Sequence, residues 1–196
     1  GGTSWKWLYL LAAGLCGLLI VGTALTGFPR TPRAAQEEVD TRDALRMLGD
    51  PYAMLFAIML MLYVAAEAAI YVWVPTYFAG YAGPGAWLAP FAVAVFFVLR
   101  AAGRFFGAWL LSRFDWTRVL AICSTAMAAL FLIAVAGGRP VAVFALPATG
   151  LFMSVLYPTM NSTGISCFDK ARHGSIAGLL LFFTCVGAVL APLSMG

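Results

Sequence analysis

Long apolar segments separated by short polar connectors dominate this sequence of 196 residues. A helix needs roughly 20 apolar residues to cross the hydrocarbon core of a bilayer, which is about 30 Å thick. Strands of a membrane β-barrel would instead alternate apolar and polar residues over about ten positions. The pattern therefore predicts an all-α membrane protein with six transmembrane helices, at 5–28, 52–78, 86–111, 119–136, 141–167 and 175–195.

Composition supports the bilayer as the solvent. The chain is 63% hydrophobic and only 10% charged, whereas soluble domains are about 45–50% apolar and about 25% charged. A water-soluble enzyme and a nucleic-acid-binding protein are excluded on this basis. The four cysteines have no C-x-x-C spacing and no neighbouring His, so buried thiols are expected and no metal or cofactor is predicted.

The basic residues alternate between the two sides of the predicted membrane. The first, third and fifth connectors, at 29–51, 112–118 and 168–174, hold eight Lys and Arg residues, and the opposite side holds two. Cytoplasmic loops are enriched in Lys and Arg, so these three connectors are predicted to face the cytoplasm. The chain is accordingly expected to be a multi-pass protein of the cell (inner) membrane.

The first connector is the most polar part of the chain. We expect a cytoplasmic linker at 29–51, with a short surface helix that ends at Gly49, and Pro51 opening the next span. The linker separates one helix, at 1–28, from a bundle at 52–196. This organisation, together with ends that lack an initiator Met and stop within an apolar run, is expected for a piece spanning two halves of a larger protein.

Apart from Lys6 at the outer end of the first span, three charged residues fall inside the predicted spans, namely Glu67, Arg100 and Arg104. A charge in lipid costs about 2.5–3.5 kcal/mol or more, so such residues usually face a partner or a water-filled cavity. Arg104 is near enough to the cytoplasmic end of its span to extend into the headgroups. Glu67 and Arg100 lie about 22 Å and about 16 Å from the cytoplasmic ends of their spans. We predict that they pair or face one aqueous cavity; a neutral Glu67 hydrogen-bonded to a neighbouring helix is the alternative.

Tyrosines flank Glu67 at helical spacing. Tyr63 and Tyr71 lie four residues before and after it, so all three share one face of the helix. Aromatic rings beside a carboxylate suit a polar organic substrate such as a sugar, whose C–H faces lie against aromatic rings. The alternative is that these tyrosines only pack against neighbouring helices.

The fifth span has a comparable face, with Tyr157 and Asn161 four residues apart. Pro158 between them is expected to interrupt the helix, as happens at transporter binding sites, or only to kink it for packing. The predicted candidates for a cavity that holds substrate or protons are Glu67, Tyr63, Tyr71, Arg100, Tyr157 and Asn161.

The stretch GRFFGAWLLSRFDWTR at 103–118 resembles the C-terminal copy of the signature loop of the major facilitator superfamily, G-x-L-a-D-R-x-G-R-[RK]. Arg113 matches the first Arg of the signature, whereas Ser112 replaces its Asp, so the usual salt bridge of the loop is not expected here. The resemblance implies a cytoplasmic gating loop whose candidate residues are Gly103, Arg104, Gly107, Arg113 and Arg118.

Three further stretches are similar to helices of the fucose–galactose–glucose:proton symporter family. AAEAAIYVW at 65–73 resembles the seventh helix, GLFMSVLYPT at 150–159 the tenth, and GSIAGLL from 174 with GAVLAP from 187 the eleventh. The resemblance implies the sixth to eleventh helices of a twelve-helix carrier, in which two halves rock to give alternating access. It also implies a missing N-terminal half, where the family's best-known proton-binding carboxylates lie, and a missing last helix.

The expected function is secondary active transport of a small polar solute, by proton-coupled sugar symport. The expected partners are the solute, protons, the lipid bilayer and the missing N-terminal half. A proton-coupled drug or metabolite exporter of the same superfamily is the nearest alternative, because a fold does not fix the cargo. A channel or a non-transporting membrane sensor is a further alternative. An enzyme is not expected, since the sequence has neither H-E-x-x-H nor G-x-S-x-G and its one histidine, His173, lies in a connector.

Overall fold

The computed structural model describes residues 4–27 and 45–195, and these ranges contain helices and no strand. The chain divides into two units, residues 1–36 and 37–196; the first contains α1 and the second all the elements that follow. The linker at 28–44, with Arg30, Arg33 and Arg42, lies outside the described residues. The helices are α1 (Ser4–Leu25), α2 (Pro51–Tyr77), α3 (Ala92–Arg113), α4 (Trp116–Ser166) and α5 (His173–Met195), with 3-10 turns at Ala89–Phe91 and Lys170–Arg172.

Four helical stretches in the described part of the chain are long and apolar enough to cross a membrane: Pro51–Tyr77, Ala89–Arg113, Trp116–Ser166 and Lys170–Ser194. A shorter apolar stretch, Tyr9–Leu25, lies within α1. Large apolar side chains such as Phe105 and Val135 are more than four-fifths exposed, at 82% and 81%. Such an exterior is stable against lipid and not against water, so the all-α membrane class predicted from the sequence holds.

Helix α4 is two helices joined at one residue. Its 51 residues would extend about 77 Å as a straight helix, more than twice the hydrocarbon thickness. Gly138 breaks it with φ 63° and ψ −163°, a backbone conformation that only glycine adopts readily. We call the segments α4a (116–137) and α4b (139–166). They correspond to the fourth and fifth predicted spans, but the turn expected at 137–140 is reduced to Gly138 alone.

The expected interruption at Pro158 is absent. Helix α4b continues through Pro140, Pro147 and Pro158, and the one residue of α4 with non-helical backbone angles is Gly138. A proline removes a single ladder hydrogen bond, and neighbouring helices can accommodate that loss within a bundle. The prediction of a broken helix beside Asn161 was therefore wrong, because the helix continues through Pro158.

The start of α2 is fixed by its own sequence. Pro51 occupies the first turn, as predicted, where its missing N–H costs nothing. The carboxylate of Asp50 accepts hydrogen bonds from the backbone N–H groups of Tyr52, at 2.9 Å, and Ala53, at 3.2 Å. Of the predicted surface helix before it, residues 45–47 are helical, and the side chain of Met47 is buried.

Helix packing pairs α2 with α5 and α3 with α4 most extensively. The close approach of α3 to α4b depends on glycines, two of which belong to α3. A Cβ added at Gly103 would collide with the carbonyl oxygen of Leu151, and one added at Gly107 would collide with the side chain of Val155. Gly178 in α5, by contrast, has no such neighbour within 4 Å. The small-x-x-x-small spacing at 103–107 is therefore used for packing.

Candidate solute-binding site

An ion pair lies midway along two neighbouring helices. Nη1 of Arg100 on α3 donates a hydrogen bond to Oε1 of Glu67 on α2. Glu67 lies 16 residues after Pro51 and Arg100 13 residues before Arg113, which places them about 24 Å and about 20 Å from the corresponding helix ends. The pairing is as the depth estimate predicted. The two side chains remain 14% and 17% exposed, respectively, so the pair is not sealed in a dry contact.

A cavity of about 310 Å³ lies beside this ion pair. Four helical segments contribute to it, α2, α3, α4b and α5, so residues far apart in sequence share one space. A volume near 300 Å³ is at the lower end of the range for small-molecule sites. The lining residues are Val64, Glu67, Tyr71, Arg100, Tyr157, Thr184, Cys185 and Ala188.

Aromatic rings form part of the cavity wall and of its support. Tyr71 stacks on Phe97, with ring centroids 6.3 Å apart and an interplanar angle of 28°. Tyr157 packs against Tyr63 at a centroid distance of 5.9 Å. The hydroxyl of Tyr63 is buried and donates a hydrogen bond of 2.7 Å to the backbone carbonyl of Met153. Tyr71 and Tyr157 therefore face the cavity, whereas Tyr63 holds Tyr157 in place from behind.

The structure and the predicted set of cavity residues differ at α2, where Tyr63 lies behind the wall, and at α4b and α5. Asn161 is half-buried, one turn beyond Tyr157, but is not among the lining residues. Thr184 and Cys185 of α5 line the cavity and were not predicted, because apolar spacing in that span does not mark which face is turned inward. The Thr184 hydroxyl donates to the carbonyl oxygen of Leu181, at 2.6 Å, within its own helix.

The contact between Arg100 and Glu67 uses only part of the hydrogen-bonding capacity of either group. The guanidinium of Arg100 has five N–H donors and the carboxylate of Glu67 has two acceptor oxygens. Within the described residues, the one hydrogen bond of either group joins Nη1 to Oε1. The remaining donors and the second oxygen are available to a bound molecule. The described residues contain no group of three or more His, Cys, Asp or Glu that could hold a metal ion.

The residues predicted for a gating loop lie in two helices, and none of them is in the connector between those helices. Helix α3 continues to Arg113, so the connector between α3 and α4 consists only of residues 114–115. Arg118, in the first turn of α4, lies 3.9 Å through Nε from Oδ2 of Asp115, and both side chains are exposed. The gating role of these residues stays a prediction, but all five are helix residues: Gly103, Arg104, Gly107 and Arg113 in α3, and Arg118 in α4.

A second cavity, of about 570 Å³, lies toward the predicted cytoplasmic end of α3 and α4b. Arg104 and Gly107 line it from α3, and Thr159 and Ser162 from α4b. At the position where the family signature has Asp, the hydroxyl of Ser112 donates to the carbonyl oxygen of Trp109 at 2.6 Å. This side chain therefore stabilises its own helix and forms no charge pair in the connector.

Comparison with known proteins agrees with this architecture. The family model of the Major Facilitator Superfamily matches residues 1–192, and the chain belongs to this superfamily. It is a multi-pass membrane protein whose helices fit part of a major facilitator fold. Over 95 residues, 48% of this chain, it is 37% identical to the L-fucose-proton symporter of Escherichia coli (strain K12), of which the match covers 21%. No solved structure matches the chain.

Proposed function

We propose that this chain is part of a secondary active transporter that carries a small polar solute of the sugar type together with protons. The observation that carries the proposal is the cavity at which α2, α3, α4b and α5 meet, with the Glu67–Arg100 ion pair and two tyrosines in its wall. Superfamily membership points to a transporter and not to an enzyme. Transport would proceed by alternating access, with the cavity opening to each side of the membrane in turn.

The chemistry of the cavity suits a polyhydroxy solute. The unused N–H groups of Arg100 can donate to hydroxyl oxygens, and the second oxygen of Glu67 can accept from hydroxyl groups. The rings of Tyr71 and Tyr157 offer apolar faces for the C–H side of a sugar ring. The similarity to a symporter named for L-fucose and protons supports the same class of cargo and the same coupling ion.

We further propose that the other wall of the cavity comes from helices of the same carrier that precede this chain. The stretch similar to the fucose symporter covers 21% of that protein, which supports a longer carrier. On this proposal the described helices are the seventh to eleventh, and α1 is the sixth. Cargo would bind between the two halves, and only the outer faces of the halves would contact the bilayer.

Export of a cationic drug or metabolite by the same fold is the rival function. An acidic side chain that binds a cationic cargo must be ionised and free to contact it. The carboxylate of Glu67 is instead already paired with the guanidinium of Arg100. Bringing a cation to this cavity would place it beside Arg100 and cost repulsion. The ion pair therefore favours neutral or anionic polar cargo over a cation.

Counterflow in proteoliposomes tests the proposal. The carrier that contains this chain, expressed from its natural start, would be reconstituted into proteoliposomes preloaded with unlabelled hexose. Entry of labelled L-fucose, of related hexoses or of their acids would then be measured, and entry of a cationic dye would be measured for comparison. We expect saturable counterflow of a sugar-type solute, accelerated by an inward proton gradient. Movement of the dye without any sugar-type solute would overturn the proposal, and ion currents far above carrier turnover would indicate a channel.

A further inference from the structure

The partial use of Arg100 points to the charge of the cargo. We propose, on the basis of the carrier function above, that the solute is a sugar acid, a polyhydroxy compound with one carboxylate. The carboxylate of the solute takes the place of Glu67 on the guanidinium of Arg100, and Glu67 receives the proton that travels with it. One proton therefore accompanies each molecule of solute.

The geometry of the contact leaves room for this exchange. The one hydrogen bond of Arg100 within the described residues joins Nη1 to Glu67, so its other N–H groups have no hydrogen-bond acceptor there. Arginine binds carboxylates best through two parallel hydrogen bonds, so a single contact leaves its strongest binding mode unused. Both side chains reach the cavity, which is where an incoming carboxylate would meet them. The pair is therefore placed so that a solute can compete for the guanidinium.

Charge balance then couples the solute to a proton. With Glu67 ionised, the pair carries no net charge. An anionic solute that displaces Glu67 would leave that carboxylate partly buried and unpaired, which is unfavourable where the dielectric constant is low. Protonation of Glu67 removes this cost, because Glu67 is then neutral and the charges of the solute carboxylate and Arg100 cancel. A proton from the water on one side binds an oxygen of Glu67 as the solute binds, and leaves on the other side as the solute leaves.

Glu67 is also the one carboxylate placed to receive this proton within the described spans. Among the other groups, Arg104 and Arg100 are cations on α3, and a cation does not take up a proton. The remaining groups are phenols and one thiol, and none of them is a carboxylate. The titratable and charged side chains that face this region of the bundle are Tyr63 and Tyr71 from α2, Arg100 and Arg104 from α3, Tyr157 from α4b and Cys185 from α5.

A neutral sugar would lack this coupling. If Glu67 were protonated while a neutral solute was bound, the guanidinium of Arg100 would lose its counter-ion in the cavity. If Glu67 stayed ionised and paired, no proton would move with the solute. Proton symport through this pair therefore favours an anion over a neutral sugar of the same shape.

Three solutes that differ only at one carbon provide the first test. Galacturonate, its methyl ester and galactose would compete with labelled galacturonate for uptake into proteoliposomes that hold the complete carrier. We expect galacturonate to bind about a hundredfold more tightly than either neutral compound, as is typical when one partner of a buried charge pair is removed. Because each anion enters with one proton, uptake should not respond to the membrane potential. Equal affinity for the three solutes would overturn the inference.

Variants of the ion pair provide the second test. Arg100→Gln should reduce the preference for galacturonate from about a hundredfold to less than about threefold, whereas Arg172→Gln, which removes an exposed guanidinium, should not change it. Glu67→Gln should keep exchange of galacturonate but lose its accumulation by a proton gradient, with Asp169→Asn as the matched control. Because Arg100→Gln leaves Glu67 unpaired and can impair folding, Arg100→Lys is the second variant, and it should retain part of the preference.

The outcomes separate this inference from the carrier function. Transport of galactose with no advantage for galacturonate would overturn the sugar-acid inference and keep the proposed carrier. If neither solute is moved by the wild-type carrier, binding of labelled galacturonate to the purified protein in detergent decides the inference alone. Binding that depends on Arg100 would support it while the transport proposal falls, and absence of such binding would overturn it.

Discussion

Arg100 and Glu67 form a direct polar link between two helices whose main packing partners lie elsewhere. α3 packs chiefly on α4 and α2 chiefly on α5, so the ion pair connects one helix pair to the other. A contact of this kind can be replaced without disturbing the apolar packing within either pair. The position of the ion pair beside the cavity is therefore suited to a bond that forms and breaks as cargo arrives and leaves.

The first prediction concerns the energy of this pair. Glu67→Gln or Arg100→Gln alone should destabilise the folded protein, because each leaves a partly buried charge without its partner. The double variant should recover much of the loss, with a coupling energy of about 1–3 kcal/mol. Thermal unfolding in detergent would measure all four proteins. The exposed pair Asp115–Arg118 provides the control cycle, whose coupling should be near zero; equal coupling in both cycles would contradict the role given to burial.

A second prediction compares two glycines in helices. Gly103→Ala should lower stability by about 1–3 kcal/mol, because the new Cβ would collide with the carbonyl oxygen of Leu151 and push α3 away from α4b. Gly178→Ala should be neutral or stabilising, since no atom lies within 4 Å and alanine favours a helix. Thermal unfolding of both variants in one detergent gives the comparison. Equal loss at both positions would argue against close packing at Gly103.

A third prediction concerns the support of Tyr157. Tyr63→Phe removes the hydroxyl that binds the carbonyl of Met153, which should cost about 1 kcal/mol of stability. It should also weaken solute binding, because the ring of Tyr157 rests on that of Tyr63. Tyr52→Phe, at the exposed start of α2, removes a tyrosine hydroxyl from the same helix and serves as the control. A solute affinity unchanged in Tyr63→Phe would limit Tyr63 to a structural role.

The thiols give a fourth prediction, on access to the cavity. The expected burial of the thiols holds for Cys123 but is wrong for Cys185, which is exposed and lines the cavity, and for Cys167, which is exposed at the end of α4. A maleimide should therefore label Cys185 and Cys167 but not Cys123 in variants that keep one cysteine each. Bound solute should slow the labelling of Cys185 and leave that of Cys167 unchanged. Protection of both, or of neither, would place the solute away from this cavity.

Much of the fold could be predicted because a bilayer imposes a simple length rule. Runs of apolar residues gave the helices to within a few positions, and Asp50 and Pro51 mark the start of α2. Glu67 and Arg100 could be found because charges inside apolar spans are rare and their depths follow from residue counts. The charges thus located the candidate site before its geometry was known.

Other features could not be predicted for physical reasons. A helix face turned to lipid and one turned to protein are both apolar, so hydropathy did not mark Thr184 and Cys185 as lining residues. Proline signals a lost hydrogen bond, yet whether a helix breaks there depends on its neighbours, and α4b stays helical at Pro158. The gap between the fourth and fifth predicted spans contains Gly138, where the helix does break. The length of the turn could not be predicted, because the positive φ of Gly138 reduces it to a single residue.

The central claim is that Glu67 takes up a proton when solute replaces it on Arg100. Its most direct test is the pH of a weakly buffered suspension of proteoliposomes holding the complete carrier, recorded as galacturonate is added outside. The wild type should make the external solution more alkaline in proportion to the solute that enters, at one proton per molecule, and Glu67→Gln should exchange galacturonate without any pH change. Equal alkalinisation by the wild type and by Glu67→Gln would contradict the account.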